Sequence, residues 1–259
     1  VRLADMRQCV KLACAGEVKI KLRLLIVGGR KKMRRYRITR EEYYFVSSNY
    51  PEIWRENVIT GRAENERCPA IIKVLGVNPN EGVLEIGTGE GRFIPLITER
   101  GALYVGIDIS PRMLYYAKRK INLRAAALVD LVVAEAKHLP FRDRAFDKVF
   151  CYATIFFIPK QEEVVKEARR VTRRRVLIEF RNALHPRVLR GFLLYSLRKA
   201  LGKAGKALPY YPLTPKNILR LFDKPVAYFF KGSKGRDLIP WCRGIWSLRA
   251  CIIIVEDMK

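Results

Sequence analysis

From Gly82 to Asn182 the chain alternates short apolar runs with amphipathic segments, and this alternation limits the fold more than any other feature. Residues 83–86, 103–109, 131–134, 148–153 and 175–180 are strand-length runs rich in Val, Ile, Leu and Phe. Helical patterns separate them. One follows Gly91 and carries Phe93, Leu96 and Ile97, and another spans residues 162–171. A third opens at Ser110-Pro111, a side-chain cap followed by proline at the first helical position, and continues through Met113, Leu114 and Ala117. Strand–helix alternation of this kind predicts a parallel sheet covered by helices on both faces. After Asn182 the pattern changes to a basic amphipathic helix over 186–201, with Leu189, Phe192, Leu193, Leu197 and Leu201 on one side. A helix capped by Thr214-Pro215 then runs to Phe222, and residues 226–231 and 247–255 read as a closing antiparallel pair at one edge. The expected fold class is α/β, with seven mostly parallel strands.

The chain divides into three parts on this reading. Residues 1–33 form a basic N-terminal extension, disordered or an over-extended start, because the chain opens on Val1 while Met33 precedes a more ordinary segment. Residues 34–76 read as a helical cap containing Tyr43, Tyr44, Phe45, Tyr50 and Trp54, and residues 77–259 as the sheet domain. Fifty-one Lys and Arg face 25 Asp and Glu, a net charge of +26. Residues 1–40 hold thirteen bases against Asp5 and Glu17, and residues 160–206 hold fourteen against Glu162, Glu163, Glu167 and Glu179. Heat adaptation would explain dense charge but not its single sign, so an anionic partner, RNA or an acidic membrane surface, is in view. No apolar run reaches the roughly 18 residues that cross a bilayer, and bases interrupt the N-terminal apolar stretches, so a cytoplasmic protein is expected. The six cysteines (Cys9, Cys14, Cys68, Cys151, Cys242, Cys251) contain no C-x-x-C pair, and His138 and His185 are the two histidines. Such a set gives a metal site little to draw on, and no metal is expected.

The chemistry lies at the ends of the strands. Val83-Leu84-Glu85-Ile86-Gly87-Thr88-Gly89-Glu90-Gly91-Arg92-Phe93 is a strand that ends in glycines and opens a helix, which brings bare backbone and a helix N-terminus to a ligand. A dinucleotide fingerprint requires G-x-G-x-x-G; here the third glycine, Gly91, comes one residue early. Asp108 ends the next strand, where an acid accepts hydrogen bonds from ribose hydroxyls. Glu135-Ala136 ends the third strand and leads into Leu139-Pro140-Phe141; Phe146–Cys151 is the fourth. In an open parallel sheet these carboxyl ends share one ligand crevice.

In these motifs the chain resembles the class I S-adenosylmethionine (SAM)-dependent methyltransferases, in particular the broad type-11 group. The resemblance covers residues 58–182 and rests on L-E-I-G-T-G-E-G-R-F, G-I-D-I-S-P-R-M-L-Y-Y-A and A-E-A-K-H-L-P-F-R-D-R-A-F-D-K-V-F. It implies a Rossmann-like fold with SAM as co-substrate. Glu85, Gly87, Thr88, Gly89 and Gly91 would line its methionine end, Asp108 would hold the ribose, Ile109 would lie against the adenine, Glu135 and Ala136 would frame the adenine edge, and Cys151 would lie near the sulfonium. Two features depart from the group. Glu135 stands where Asp is usual, and Thr172-Arg173-Arg174-Arg175 replaces a glycine pair before the fifth strand, a change read as shortening or stiffening a loop near the site. Ile59-Thr60-Gly61-Arg62 echoes an element that closes over SAM, with Arg62 facing its carboxylate.

Methyl transfer from a sulfonium needs alignment and water exclusion, and a base only when the acceptor must lose a proton. His185, just past the fifth strand, is the first candidate base, with Tyr44, Tyr50 and Tyr152 as weaker candidates for shaping the acceptor site and Phe156 and Phe157 as core or acceptor wall. The acceptor is read as a small or lipid-like molecule, with RNA as the alternative carried by the net charge. A non-catalytic SAM-binding protein and a nicotinamide dehydrogenase are the readings from other classes; the glycine spacing opposes the second.

Overall fold

A computed structural model describes residues 58–123, 125–201, 210–230, 238–240 and 250–258. The basic extension over 1–33, the aromatic residues Tyr43 to Trp54, Cys9, Cys14 and Cys242 lie outside them. Helix α1 (Val58–Leu75) leads to strand β1 (Gly82–Ile86), α2 (Ile94–Thr98), β2 (Leu103–Asp108), α3 (Pro111–Lys118) and β3 (Val129–Val133). Strand β4 (Phe146–Cys151), α4 (Gln161–Val171) and β5 (Thr172–Arg181) follow. The chain then forms α5 (Pro186–Ala200), α6 (Pro215–Leu219), β6 (Val226–Phe230), β7 (Leu238–Pro240) and β8 (Cys251–Asp257).

The strands make one sheet in the order β3-β2-β1-β4-β5-β8-β6-β7. β1 to β5 are parallel, and β8 runs antiparallel between β5 and β6. The seven expected strands are present, and among the described residues three-residue β7 adds an eighth, antiparallel to β6. From β1 the chain builds outward through β2 and β3, then returns to place β4 on the other side. This reversal makes β1/β4 the switch point, where a crevice opens beyond the strand ends.

Each central strand is buried on both faces, the signature of a sheet covered on two sides. Leu84, Ile86, Val105, Ile107, Val149, Val176 and Ile178 point to one apolar layer, completed by Val164, Val165 and Ala168 of α4. Val83, Tyr104, Phe150, Leu177 and Ile253 point to the other, where Cys68, Ile71, Ile72 and Leu75 of α1 and Ile94 and Ile97 of α2 cover them. The C-terminal half of α1 is thus built into the core. Both expected caps form: Ser110 accepts from the Met113 N–H and Thr214 from the Asn217 N–H, each followed by proline. Helix α4 places Glu162 and Glu163 in its first turn and Arg169 and Arg170 in its last, with its dipole.

The run 172–175 corrects one expectation. It is no loop: α4 ends at Val171 and β5 begins at Thr172. Because β5 is parallel to β4, its beginning lies at the rim opposite the crevice. There Arg175 pairs with Asp257 at 2.6 Å, Arg174 with Glu81 at 3.3 Å, and buried Lys148 with Glu81 at 2.6 Å. The arginines brace the far rim.

Candidate active site at the carboxyl rim

The turn after β1 is shaped by residues that leave the usual backbone regions. Gly87, Gly89 and Gly91 have φ of 76°, 54° and 70°. A Cβ at Gly87 would stand 2.2 Å from Thr154 Cγ2, in the loop after β4, and the Thr154 hydroxyl donates to the Gly87 carbonyl at 3.2 Å. At Gly89 the nearest atom to a Cβ would be Met113 Cε at 3.4 Å, a van der Waals contact, and the residue lines the cleft. Gly91 packs inward, against Ile94 and Ala117.

Asp108 pins the turn. Its Oδ2 accepts from the Gly89 N–H and its Oδ1 from the Ser110 N–H, both at 2.9 Å. Burial raises its pKa to about 6, against the lowering effect of the N–H donors of Ser110, Gly89 and Ile109. Glu85 lies beneath the turn, 2% exposed. The hydroxyls of Tyr104 and Thr88 both donate to its Oε2 and also meet each other. Gly106 sits beside Glu85 in the register; a Cβ there would stand 2.9 Å from Thr88 Oγ1 and from Tyr104 Cε1, so glycine makes room for this cluster. Burial raises the Glu85 pKa to about 8, only partly opposed by the two hydroxyls and the charge of Arg92, with Asp108 adding to the rise. Glu135 pairs with Lys137 at 2.9 Å on the rim.

These groups line one cleft of about 1010 Å³, part of it open to solvent. Of the expected cofactor residues, Glu85, Gly87, Thr88, Gly89, Asp108, Ile109, Glu135 and Ala136 all line it. Gly91 and Cys151 stand behind the wall: Gly91 spaces α3 from the turn, and Cys151 is wholly buried, its thiol pKa pushed up by that burial. Tyr152, Ala153 and Thr154 line the cleft in place of Cys151. Ala153 has φ of 55°, and its N–H donates at 2.8 Å to Glu179, a carboxylate 1% exposed on β5.

His185 is not among the lining residues. It directly precedes α5, with its Nδ1 buried and without a hydrogen bond; burial, then the charge of Arg187, lower its pKa. Of the aromatic candidates, Tyr152 and Phe157 line the cleft, while Phe156 is buried with the Arg181 guanidinium 4.5 Å from its ring centre. Tyr44 and Tyr50 lie outside the described residues, and the side chain of Arg62 is not described. Sequence reasoning missed Tyr104 and Glu179, which act through partners distant in the chain, and Met113, Ile158 and Pro159 on the wall. The proline after two aromatics was the one local signal for the last two. Among the described residues no group of three or more His, Cys, Asp or Glu is placed to hold a metal, and no helix is long and apolar enough to cross a membrane.

Comparison with known proteins agrees with this geometry. A family model described as a methyltransferase domain, of the type-11 group, matches residues 84–179. The demethylmenaquinone methyltransferase of Tropheryma whipplei is 32% identical over 148 residues, 55% of this chain and 59% of that protein. The sterol 4-C-methyltransferase of Caenorhabditis elegans is 29% identical over 102 residues, 39% of this chain and 30% of that one. The chain therefore spans less than two thirds of the length of these relatives. Among solved structures, the magnesium protoporphyrin IX methyltransferase of Synechocystis with bound SAH superposes with a TM-score of 0.59 at 17% identity, covering 84% of this chain and 97% of that one. This last likeness concerns the fold.

Proposed function

We propose that this chain, whose residues 84–179 form a methyltransferase domain of the type-11 group of class I SAM-dependent methyltransferases, binds SAM across the turn 87–91 and methylates a small apolar or lipid-like acceptor. One observation carries the reading. In a chain of 51 bases and 25 acids the cleft reverses the balance: Glu90, Asp108 and Glu135 line it above a protonated Glu85, and Arg92 is the one base among the described lining residues. A cationic ligand is favoured there over an anionic one.

When bound, SAM supplies a methyl on a sulfonium that leaves as a neutral thioether. The chain aligns and shields. The Asp108 carboxylate accepts from the backbone N–H groups of Gly89, Ser110 and Ile109 and retains acceptor capacity for ribose hydroxyls. Ile109, Ala134 and Ala136 give a purine an apolar slot edged by Glu135. Gly89 lets backbone approach where a side chain would fill the space. Gly91 and Cys151 support this surface from behind. Phe157, Ile158 and Pro159 wall the remaining volume and exclude water from the acceptor. No histidine, lysine or cysteine stands among the described lining residues, and Glu90, Glu135 and Tyr152 are lining groups of a kind that can take a proton. The two curated relatives are named for demethylmenaquinone and a sterol, both apolar, which supports the same acceptor class.

An RNA acceptor is the second reading, favoured by the net charge of +26. Incubation with methyl-labelled SAM and either cellular RNA or a small-molecule and lipid extract separates the two. Label in the extract is expected; label confined to RNA would reverse the order. Equilibrium binding that prefers SAM and SAH to NAD is expected, and the opposite preference would remove the methyltransferase reading.

A further inference from the structure

Helix α5 carries apolar residues on two sides. Val188 and Tyr195 are buried against the body. Leu189, Leu193, Leu197 and Leu201 recur every four residues along another side, and with Leu194 they are between 45% and 60% exposed. This leucine side therefore faces solvent. Soluble monomers seldom leave a contiguous aliphatic stripe uncovered. At 100° per residue, Arg190 falls within the stripe and Arg187 and Arg198 along one flank; all three are exposed. No Asp or Glu occurs between Glu179 and Asp223, while nine Lys and Arg do.

We propose that this face of α5 docks the protein on an anionic lipid bilayer, with the leucines in the acyl boundary and the arginines among the lipid phosphates. Aliphatic stripe, flanking arginines and a stretch of chain without acids are the features that a helix lying in a lipid interface requires. A second copy of the chain fits less well, because two-fold pairing would set the same arginines against each other. RNA fits less well too, since the outward side offers leucines and no aromatic platform for bases. The helix is also tied to the cleft. The ring of Tyr195 lies 6.4 Å from that of Tyr211, whose N–H donates to the carbonyl of Phe156, the residue before cleft-lining Phe157. A bilayer under α5 would lie beside the apolar wall. The docking does not depend on the methyl-transfer reading, and its test uses neither SAM nor acceptor.

Co-sedimentation of the full chain with phosphatidylcholine vesicles, with and without phosphatidylglycerol, tests the inference. Binding is expected with phosphatidylglycerol and reduced by salt. Leu193→Ser/Leu197→Ser should weaken it by about tenfold or more while the thermal midpoint stays that of the parent, because both side chains are exposed. Arg187→Gln/Arg190→Gln/Arg198→Gln should remove the preference for anionic vesicles. The proposal is overturned if the serine variant binds vesicles like the parent. It is equally overturned if the parent ignores phosphatidylglycerol, or if the serine substitutions abolish self-association of the chain measured without vesicles and leave vesicle binding intact.

Discussion

Replacing Glu85 by Gln should change how stability depends on pH. Burial raises this carboxyl from 4.5 to about 8, so the native protein holds a proton that the unfolded chain releases. For an acid displaced upward, the stabilisation is complete below pH 4.5 and is lost as pH rises through about 8. One proton corresponds to about 1.4 kcal/mol per pH unit, so the whole displacement has a ceiling of about 5 kcal/mol. Asp108, raised from 3.8 to about 6, acts with the same sign but lower on the scale, and His185, lowered from 6.5, acts with the opposite sign below that value. Between pH 6.5 and 8 Glu85 therefore dominates, and the parent should lose about 1–2 kcal/mol across that interval. Gln keeps an oxygen for Tyr104 and Thr88 but does not titrate, so Glu85→Gln should be flatter by that amount. Urea denaturation at half-unit pH steps, without ligand, provides the comparison. Parallel parent and variant curves over this window would refute the assignment of a protonated Glu85 beneath the turn.

Three further outcomes follow from contacts in the rim. Gly87→Ala combines a left-handed alanine with overpacking against Thr154, so a loss of about 2–4 kcal/mol is expected from denaturation midpoints. Adding Thr154→Gly should recover the overpacking part alone. Glu179→Ala leaves the Ala153 N–H without its acceptor and should cost about 1–3 kcal/mol while weakening SAM binding; Glu179→Gln retains an acceptor and should keep most of the affinity, and equal losses in both would argue against this hydrogen bond as the anchor. His185→Ala should leave SAM affinity at the parental value in a calorimetric titration, since the imidazole is outside the cleft lining.

Local chemistry made the site legible. The glycine spacing, Asp108 at a strand end and the Ser110-Pro111 cap each carry their meaning within a few residues, and eight of the ten expected cofactor residues meet in one cleft. What the sequence did not yield depends on distance. Tyr104 reaches Glu85 from the neighbouring strand, and Glu179 reaches Ala153 from β5; neither pairing leaves a trace in the residues alongside. Helical period places the α5 leucines on a common side but does not say which side is buried, and here Val188 and Tyr195 won the interior. Arg173, Arg174 and Arg175 read from the sequence as a loop near the site, but they open β5, and a strand parallel to β4 begins at the opposite rim.

The most direct test is titration calorimetry of SAM into the parent, Asp108→Ala and Gly89→Val, each first shown to be folded by circular dichroism. Losing the proposed ribose acceptor, or adding a branched side chain at cleft-lining Gly89, should weaken binding by about tenfold to a hundredfold. Folded variants that hold SAM as tightly as the parent would contradict a cleft built to grip an adenosyl sulfonium.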